Sequence, residues 1–242
     1  MKRFTWFVLS SALLLAAPRL AVASAETLLS AATAAGHPVF LVVTQTDAAG
    51  VDVARAVVAD AQKLSPSTSI VELDRLDAAN VAVVRRYRLE SVPVPLILVI
   101  AANGVAAGGA RPNAVTAQRL VDMIPSAAKA SMLKSIDEKK ATFLVFWRAS
   151  MAERAAALQA ANDAATALKG AATVVSIDVD AAAEARFIAE MRVDPKSAVP
   201  IVGVYNAKGQ PTETLLGVAK AEVLVAAATK EIHECCPGGR CK

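Results

Sequence analysis

The thiol chemistry open to this chain is confined to one short run, His233-Glu234-Cys235-Cys236-Pro237-Gly238-Gly239-Arg240-Cys241-Lys242. Its three cysteines are the only ones in the sequence, and they fall within seven positions. Three chemistries fit that pattern. In the first, the thiolates bind a soft ion such as Cu(I), Zn(II) or Hg(II). Pro237-Gly238-Gly239 lets the chain turn so that Cys241 reaches Cys235 and Cys236, and His233 supplies a fourth ligand. The spacing matches no standard zinc knuckle or ribbon. In the second, Cys241 pairs with Cys235 or Cys236 and the third thiol exchanges with a partner. Cys236-Pro237-Gly238-Gly239 suits a type II turn, with Pro second and Gly third, and a disulfide in so small and exposed a loop is labile. In the third, the tail forms a terminal or intermolecular disulfide on a binding or scaffold module. The odd count excludes complete pairing within one monomer.

The opposite end bears on which compartment these thiols meet. Lys2 and Arg3 precede an apolar run from Phe4 to Ala17, and Ala23-Ser24-Ala25 follows as a small-x-small signature. This is the layout of a cleavable signal peptide over residues 1–25. The apolar run, about 14 residues, falls short of the roughly 20 that a spanning helix needs. A periplasmic or secreted protein without a stable membrane anchor is expected, in a compartment where disulfides persist. Three of the 26 Lys and Arg residues (Lys2, Arg3 and Arg19) and no acid lie in that segment, so the rest is nearly neutral against 22 Asp and Glu. No clustered basic footprint for nucleic acid remains. Arg85-Arg86-Tyr87-Arg88 reads as the solvated end of a helix, and Asp74, Asp178 and Asp180 as carboxylates of solvated loops at strand ends.

The elements that carry the tail follow an order that occurs twice. Helical spacing predicts helices over 26–35, 48–64, 78–87 and 113–124, with strands at 39–43, 69–74, 96–101 and near Val105. Asn103-Gly104 marks a hairpin turn between the last two strands. The second half is predicted to run helix 126–138, strand 142–147, helix 150–168, strand 173–178, helix 181–191, strands at 201–205 and 214–216, and a closing helix 219–233. Phe40-Leu41-Val42-Val43 matches Phe143-Leu144-Val145-Phe146, and Val71-Glu72-Leu73-Asp74 matches Val175-Ser176-Ile177-Asp178. Val92-Pro93 is matched with Val199-Pro200, after an insertion around Pro195-Lys196-Ser197. An offset of about one hundred residues is too long for a solenoid period and indicates two copies of one domain. The expected organisation is a signal peptide at 1–25, domains at 26–125 and 126–233, and a Cys-rich tail at 234–242.

Each copy resembles the thioredoxin fold. Phe146-Trp147 stands where that family carries Phe-Trp before its active site. Val199-Pro200-Ile201 stands where it carries Ile-Pro-Thr with a cis proline, and Leu216-Gly217 resembles the Val-Gly before the last helix. In the first half, Tyr87-Arg88-Leu89-Glu90-Ser91-Val92-Pro93 is similar to the family's Tyr-Gly-Ile-Arg-Gly-Ile-Pro. The resemblance implies an α/β chain of two tandem thioredoxin-like domains, with cis prolines at Pro93 and Pro200. It also implies a loop beside each that presents backbone to a polypeptide, so a peptide or protein partner there by strand addition is expected. The family's dithiol chemistry needs Cys-x-x-Cys at the start of the long helix, where the dipole lowers a thiol pKa. The corresponding windows, Ser150-Met151-Ala152-Glu153-Arg154 and Asp47-Ala48-Ala49-Gly50-Val51, hold no cysteine. Asp47 and Ser150 are expected as helix N-caps, Ser150 in a capping box with Glu153.

Overall fold

A computed structural model describes residues 23–232. Its first half runs α1 (Ala25–Ala34), β1 (Val39–Thr44), α2 (Val51–Leu64), β2 (Ser69–Asp74), α3 (Val81–Arg86), β3 (Leu96–Ile100), β4 (Ala106–Ala110) and α4 (Ala117–Asp122). The second half runs α5 (Ala127–Asp137), β5 (Ala141–Trp147), α6 (Arg154–Ala167), β6 (Ala172–Asp178), α7 (Ala185–Glu190), β7 (Ile201–Tyr205), β8 (Pro211–Leu216) and α8 (Ala221–Ala228). The sheets have the orders β2-β1-β3-β4 and β6-β5-β7-β8. In each, the first pair is parallel and the other two are antiparallel. These are two thioredoxin-like α/β sandwiches in tandem.

The central strands explain the uninterrupted apolar runs. All of Val39–Thr44 is buried, because β1 has a neighbour on each side and helices on both faces. Successive side chains point to opposite faces. Phe40 and Val42 therefore meet Ala54, Val58 and Leu120 of α2 and α4, while Leu41 and Val43 meet Leu29, Val83 and Val84 of α1 and α3. The second half packs the same way. Phe143 and Val145 face α6 and α8, and Leu144 and Phe146 face α5 and α7. Burying each of these Phe side chains contributes about 2 kcal/mol relative to exposure. The fully buried residues of α6 are all alanines, Ala157, Ala161 and Ala164, at helical spacing, with the partly buried Leu158 packed beside them.

The turns repeat in detail. Arg88 and Arg192 both adopt the left-handed conformation (φ 55° and 54°) just beyond α3 and α7. Each is followed by an N–H that returns to the preceding helix, Leu89 to Val84 and Val193 to Ile188. Between the halves, α5 packs on the β3–β4 turn. The Asn103 amide donates to the Ala130 carbonyl (2.8 Å), and Ala101, Val105 and Ala130 form a small apolar cluster. Beside it the half-buried Tyr87 hydroxyl donates to Gly104 O (3.0 Å). Burial raises the Tyr87 pKa above its ordinary 10.0, and burial raises that of Tyr205 likewise.

Several expected boundaries move. Asp47 does not cap α2: it sits at φ 62° in a preceding turn, and Gly50 (φ 85°) holds the N-cap position without a side-chain bond. Ser150 does not cap α6 either. The chain first makes two turns that bury Met151, so the helix begins at Arg154 with Glu153 before it and no capping box. Packing of one Met overrides the local capping signal. The closing helix ends at Ala228 rather than at His233. At the start, Ser24 caps α1 through its hydroxyl, which accepts from Thr27 N (3.3 Å), and Ala25 is buried. No helix among the described residues is long and apolar enough to cross a membrane.

Candidate functional site

The ladder registers align the two halves. Val43 pairs with Leu96 as Phe146 pairs with Ile201, so Leu96 and Ile201 are equivalent. Pro95, not Pro93, is therefore the counterpart of Pro200. The cis peptide bond of the described chain is Val94-Pro95; neither Val92-Pro93 nor Val199-Pro200 is cis. The expectation placed the first-half loop two residues early because Val-Pro occurs twice in Val92-Pro93-Val94-Pro95, and only the strand register distinguishes the copies. The expected cis bond at Pro200 is absent because the second half builds this loop differently.

In the second half the loop is closed by its own hydrogen bonds. The Ser197 hydroxyl donates to Val199 O (2.7 Å) and accepts from Val199 N (3.3 Å). Gly217 N donates to Pro200 O (2.7 Å). The flanking surface is also filled. Trp147 Nε1 donates to Ser176 Oγ (2.7 Å), and the Arg154 guanidinium lies 4.3 Å from the centre of the Trp147 ring. Arg148 donates to Pro195 O and approaches Asp180 at 3.6 Å.

In the first half none of these closures exists. The Val94 N–H and C=O and the Pro95 C=O have no partner among the described residues. One reason is chemical. The register Ile97↔Ala110 and Val202↔Leu215 makes Pro112 the equivalent of Gly217, and proline has no N–H to donate to Pro95 O. The loop is instead held from behind. Arg75 Nη1 donates to Val92 O (2.5 Å), while Nε and Nη2 donate to Gln45 Oε1 (3.0 and 2.6 Å). In front of it opens a cavity of about 400 Å³ lined by Ala49, Gly50, Val53, Pro93 to Pro95 and Arg111 to Asn113. Gly50 forms part of the wall with φ 85°, a left-handed conformation that favours glycine, and a Cβ there would make ordinary contact with Pro95 Cγ at 3.8 Å. Val53 is 48% exposed at its edge.

No group of three His, Cys, Asp or Glu among the described residues could hold a metal ion. His233, Cys235, Cys236 and Cys241 lie outside the described residues. Asp74 accepts from Thr46 Oγ1 (3.1 Å) and Leu76 N (2.8 Å), and Asp178 from Asp180 N (3.0 Å), as loop carboxylates do. Reading the sequence missed Arg75, Gln45 and Ser197. Ser197 lay inside the noted insertion, but Arg75 and Gln45 carry no local signal, because their partners are seventeen or more positions away.

Fold and site together define a tandem thioredoxin-like protein with no cysteine at the start of either long helix and one open loop of two. No family model matches the sequence, and comparison with curated proteins gives no match. Solved structures do match. Human ERp44 in its zinc-bound form is similar over 84% of this chain and 57% of that chain, at 10% identity and TM-score 0.37. The first two thioredoxin domains of Saccharomyces cerevisiae Eps1p are similar over 89% of this chain and 99% of that one, at 9% identity and TM-score 0.32. The NTD_N/C domain of alkylhydroperoxide reductase AhpF from Enterococcus faecalis is similar over 84% and 99%, at 13% identity and TM-score 0.27. This chain thus spans little more than half the length of ERp44. The strand orders and registers of the two sheets define the fold.

Proposed function

We propose that this is an exported polypeptide-binding protein in which the first thioredoxin-like domain receives an extended segment beside Val94, and which carries its own thiols only in the C-terminal tail. The contrast between the two loops carries this reading. Backbone polar groups are normally paired. The Val94 pair is left for a partner at the edge of an apolar cavity, while Ser197 satisfies the equivalent Val199 internally. A polypeptide laid antiparallel to the loop supplies the missing donor and acceptor, and its alternate side chains enter the cavity. No dithiol step occurs at this site, because the sequence places no cysteine there.

The test is binding of fluorescein-labelled, cysteine-free extended peptides to the chain from Ser24 to Lys242, followed by anisotropy. Val53→Glu puts a charge at the cavity edge on an exposed position and is expected to abolish binding without unfolding the protein. Absence of binding by the parent chain, or binding unchanged in Val53→Glu, would overturn the reading. Deleting residues 234–242 should leave peptide affinity intact.

A second reading is favoured by the crowding of Cys235, Cys236 and Cys241. In it the tail itself is the active part, binding copper or zinc or exchanging disulfides. Metal binding predicts uptake of about one equivalent of Cu(I) or Zn(II) by the reduced protein, lost on Cys→Ser substitution. Exchange predicts turnover of glutathione disulfide that depends on Cys235 or Cys236. A scaffold whose tail forms only a structural or intermolecular disulfide shows neither.

A further inference from the structure

The geometry points to a polypeptide segment carrying a carboxylate side chain as the occupant of the first-half cavity, with Arg111 as the residue that selects it; this rests on the binding role proposed for that cavity. The lining holds one charged residue, Arg111, one amide, Asn113, and no acid. Everything else in it is apolar or backbone. Arg111 makes no ion pair among the described residues, whereas Arg55 across α2 is held by Glu72 (2.6 Å) and Asp52 (3.0 Å). The acid nearest in sequence to the cavity wall, Asp52, is thus engaged on another face.

The position of Arg111 follows from the fold. It comes directly after the edge strand β4, and the next residue is the buried Pro112. The carbonyl of Arg111 accepts from Ala114 N (3.0 Å) in the short turn that follows. These contacts fix the backbone of the cavity wall beside the Val94–Pro95 loop. The equivalent position in the second half is Leu216, a 70% exposed apolar side chain beside a closed loop. The open loop therefore coincides with the cation, and the closed loop with a residue that could not recognise charge. An extended segment paired with Val94 projects alternate side chains toward this wall. A planar guanidinium presents a fork that matches a carboxylate, with the Asn113 amide as a further donor.

The experiment uses the full chain from Ser24 and three end-blocked, cysteine-free peptides that differ only in one central residue: Glu, Gln or Lys. Anisotropy titration at low salt is expected to rank them Glu, Gln, Lys, with Glu over Gln by roughly fivefold, as a partly exposed ion pair gives. Arg111→Glu should invert the order of Glu and Lys, Arg111→Lys should keep it, and 1 M salt should erase it. Circular dichroism checks that each variant is folded. If the three peptides bind within about twofold of one another, or Arg111→Glu leaves their ratio unchanged, the selectivity is refuted while the binding role stands. If none of the three binds, both are refuted.

Discussion

Replacing Arg75 with Ala tests whether the open loop is held from behind by one side chain. Three donors leave at once: Nη1 from Val92 O, and Nε and Nη2 from Gln45 Oε1. A hydrogen bond to a charged group contributes about 1.5–3 kcal/mol. Here three donors serve two acceptors, and Arg75 is only half-buried, so water recovers part of the loss. The expected cost is about 2 kcal/mol for the first domain. For a domain of this size that lowers Tm by roughly 10 °C. In a chain starting at Ser24 the only tryptophan is Trp147, in the second half. Fluorescence therefore follows that half and far-ultraviolet circular dichroism follows both. The expected outcome is an early circular dichroism transition in Arg75→Ala with the Trp147 transition in place. Gln45→Ala should cost about half as much, and the double substitution less than the sum, with coupling near 1 kcal/mol. An Arg75→Ala protein within about 0.5 kcal/mol of the parent, or strict additivity with Gln45→Ala, would refute the anchoring argument.

Ser197→Ala removes both bonds to Val199 and should destabilise the second half by about 1 kcal/mol in urea unfolding followed by Trp147. Tyr87 and Tyr205 are the only tyrosines, and burial raises both pKa values. The unfolded chain then loses its phenolic protons first, so stability is complete below pH 10 and falls as pH rises from there through the folded-state values. Absorbance titration at 295 nm should show both ionising above 10 in the native protein, and Tyr87→Phe should reduce the alkaline loss. A chain beginning at Glu26 lacks the Ser24 cap and the buried Ala25, and should be about 1 kcal/mol less stable in its first domain than one beginning at Ser24. Denaturation of the two purified chains compares them directly.

Much of the fold is determined by the sequence alone. Continuous apolar runs such as Val39–Val43 and Phe143–Phe146 specify central strands, because only a strand covered on both faces tolerates them. Helical spacing of Ala and Val, and Gly36 beyond α1, specify the layers around them. The absence of cysteine from both active-site windows and its concentration at 235–241 are also facts of sequence, and they move any thiol chemistry to the tail. Tertiary structure decided which Val-Pro forms the loop, since Val92-Pro93 and Val94-Pro95 are locally alike and only pairing of Leu96 with Val43 separates them. It decided where α6 begins, since burying Met151 outweighs a capping signal at Ser150. Above all it decided that one loop is open and the other closed. That difference depends on Ser197 reaching Val199, on Gly217 having an N–H where Pro112 has none, and on Arg75 crossing to Val92. Ser197 lies only two positions from Val199, but which glycine or proline faces the loop and which carbonyl Arg75 reaches are set by strand register and by where the chain returns in space, which hydrophobic pattern and local propensity do not encode.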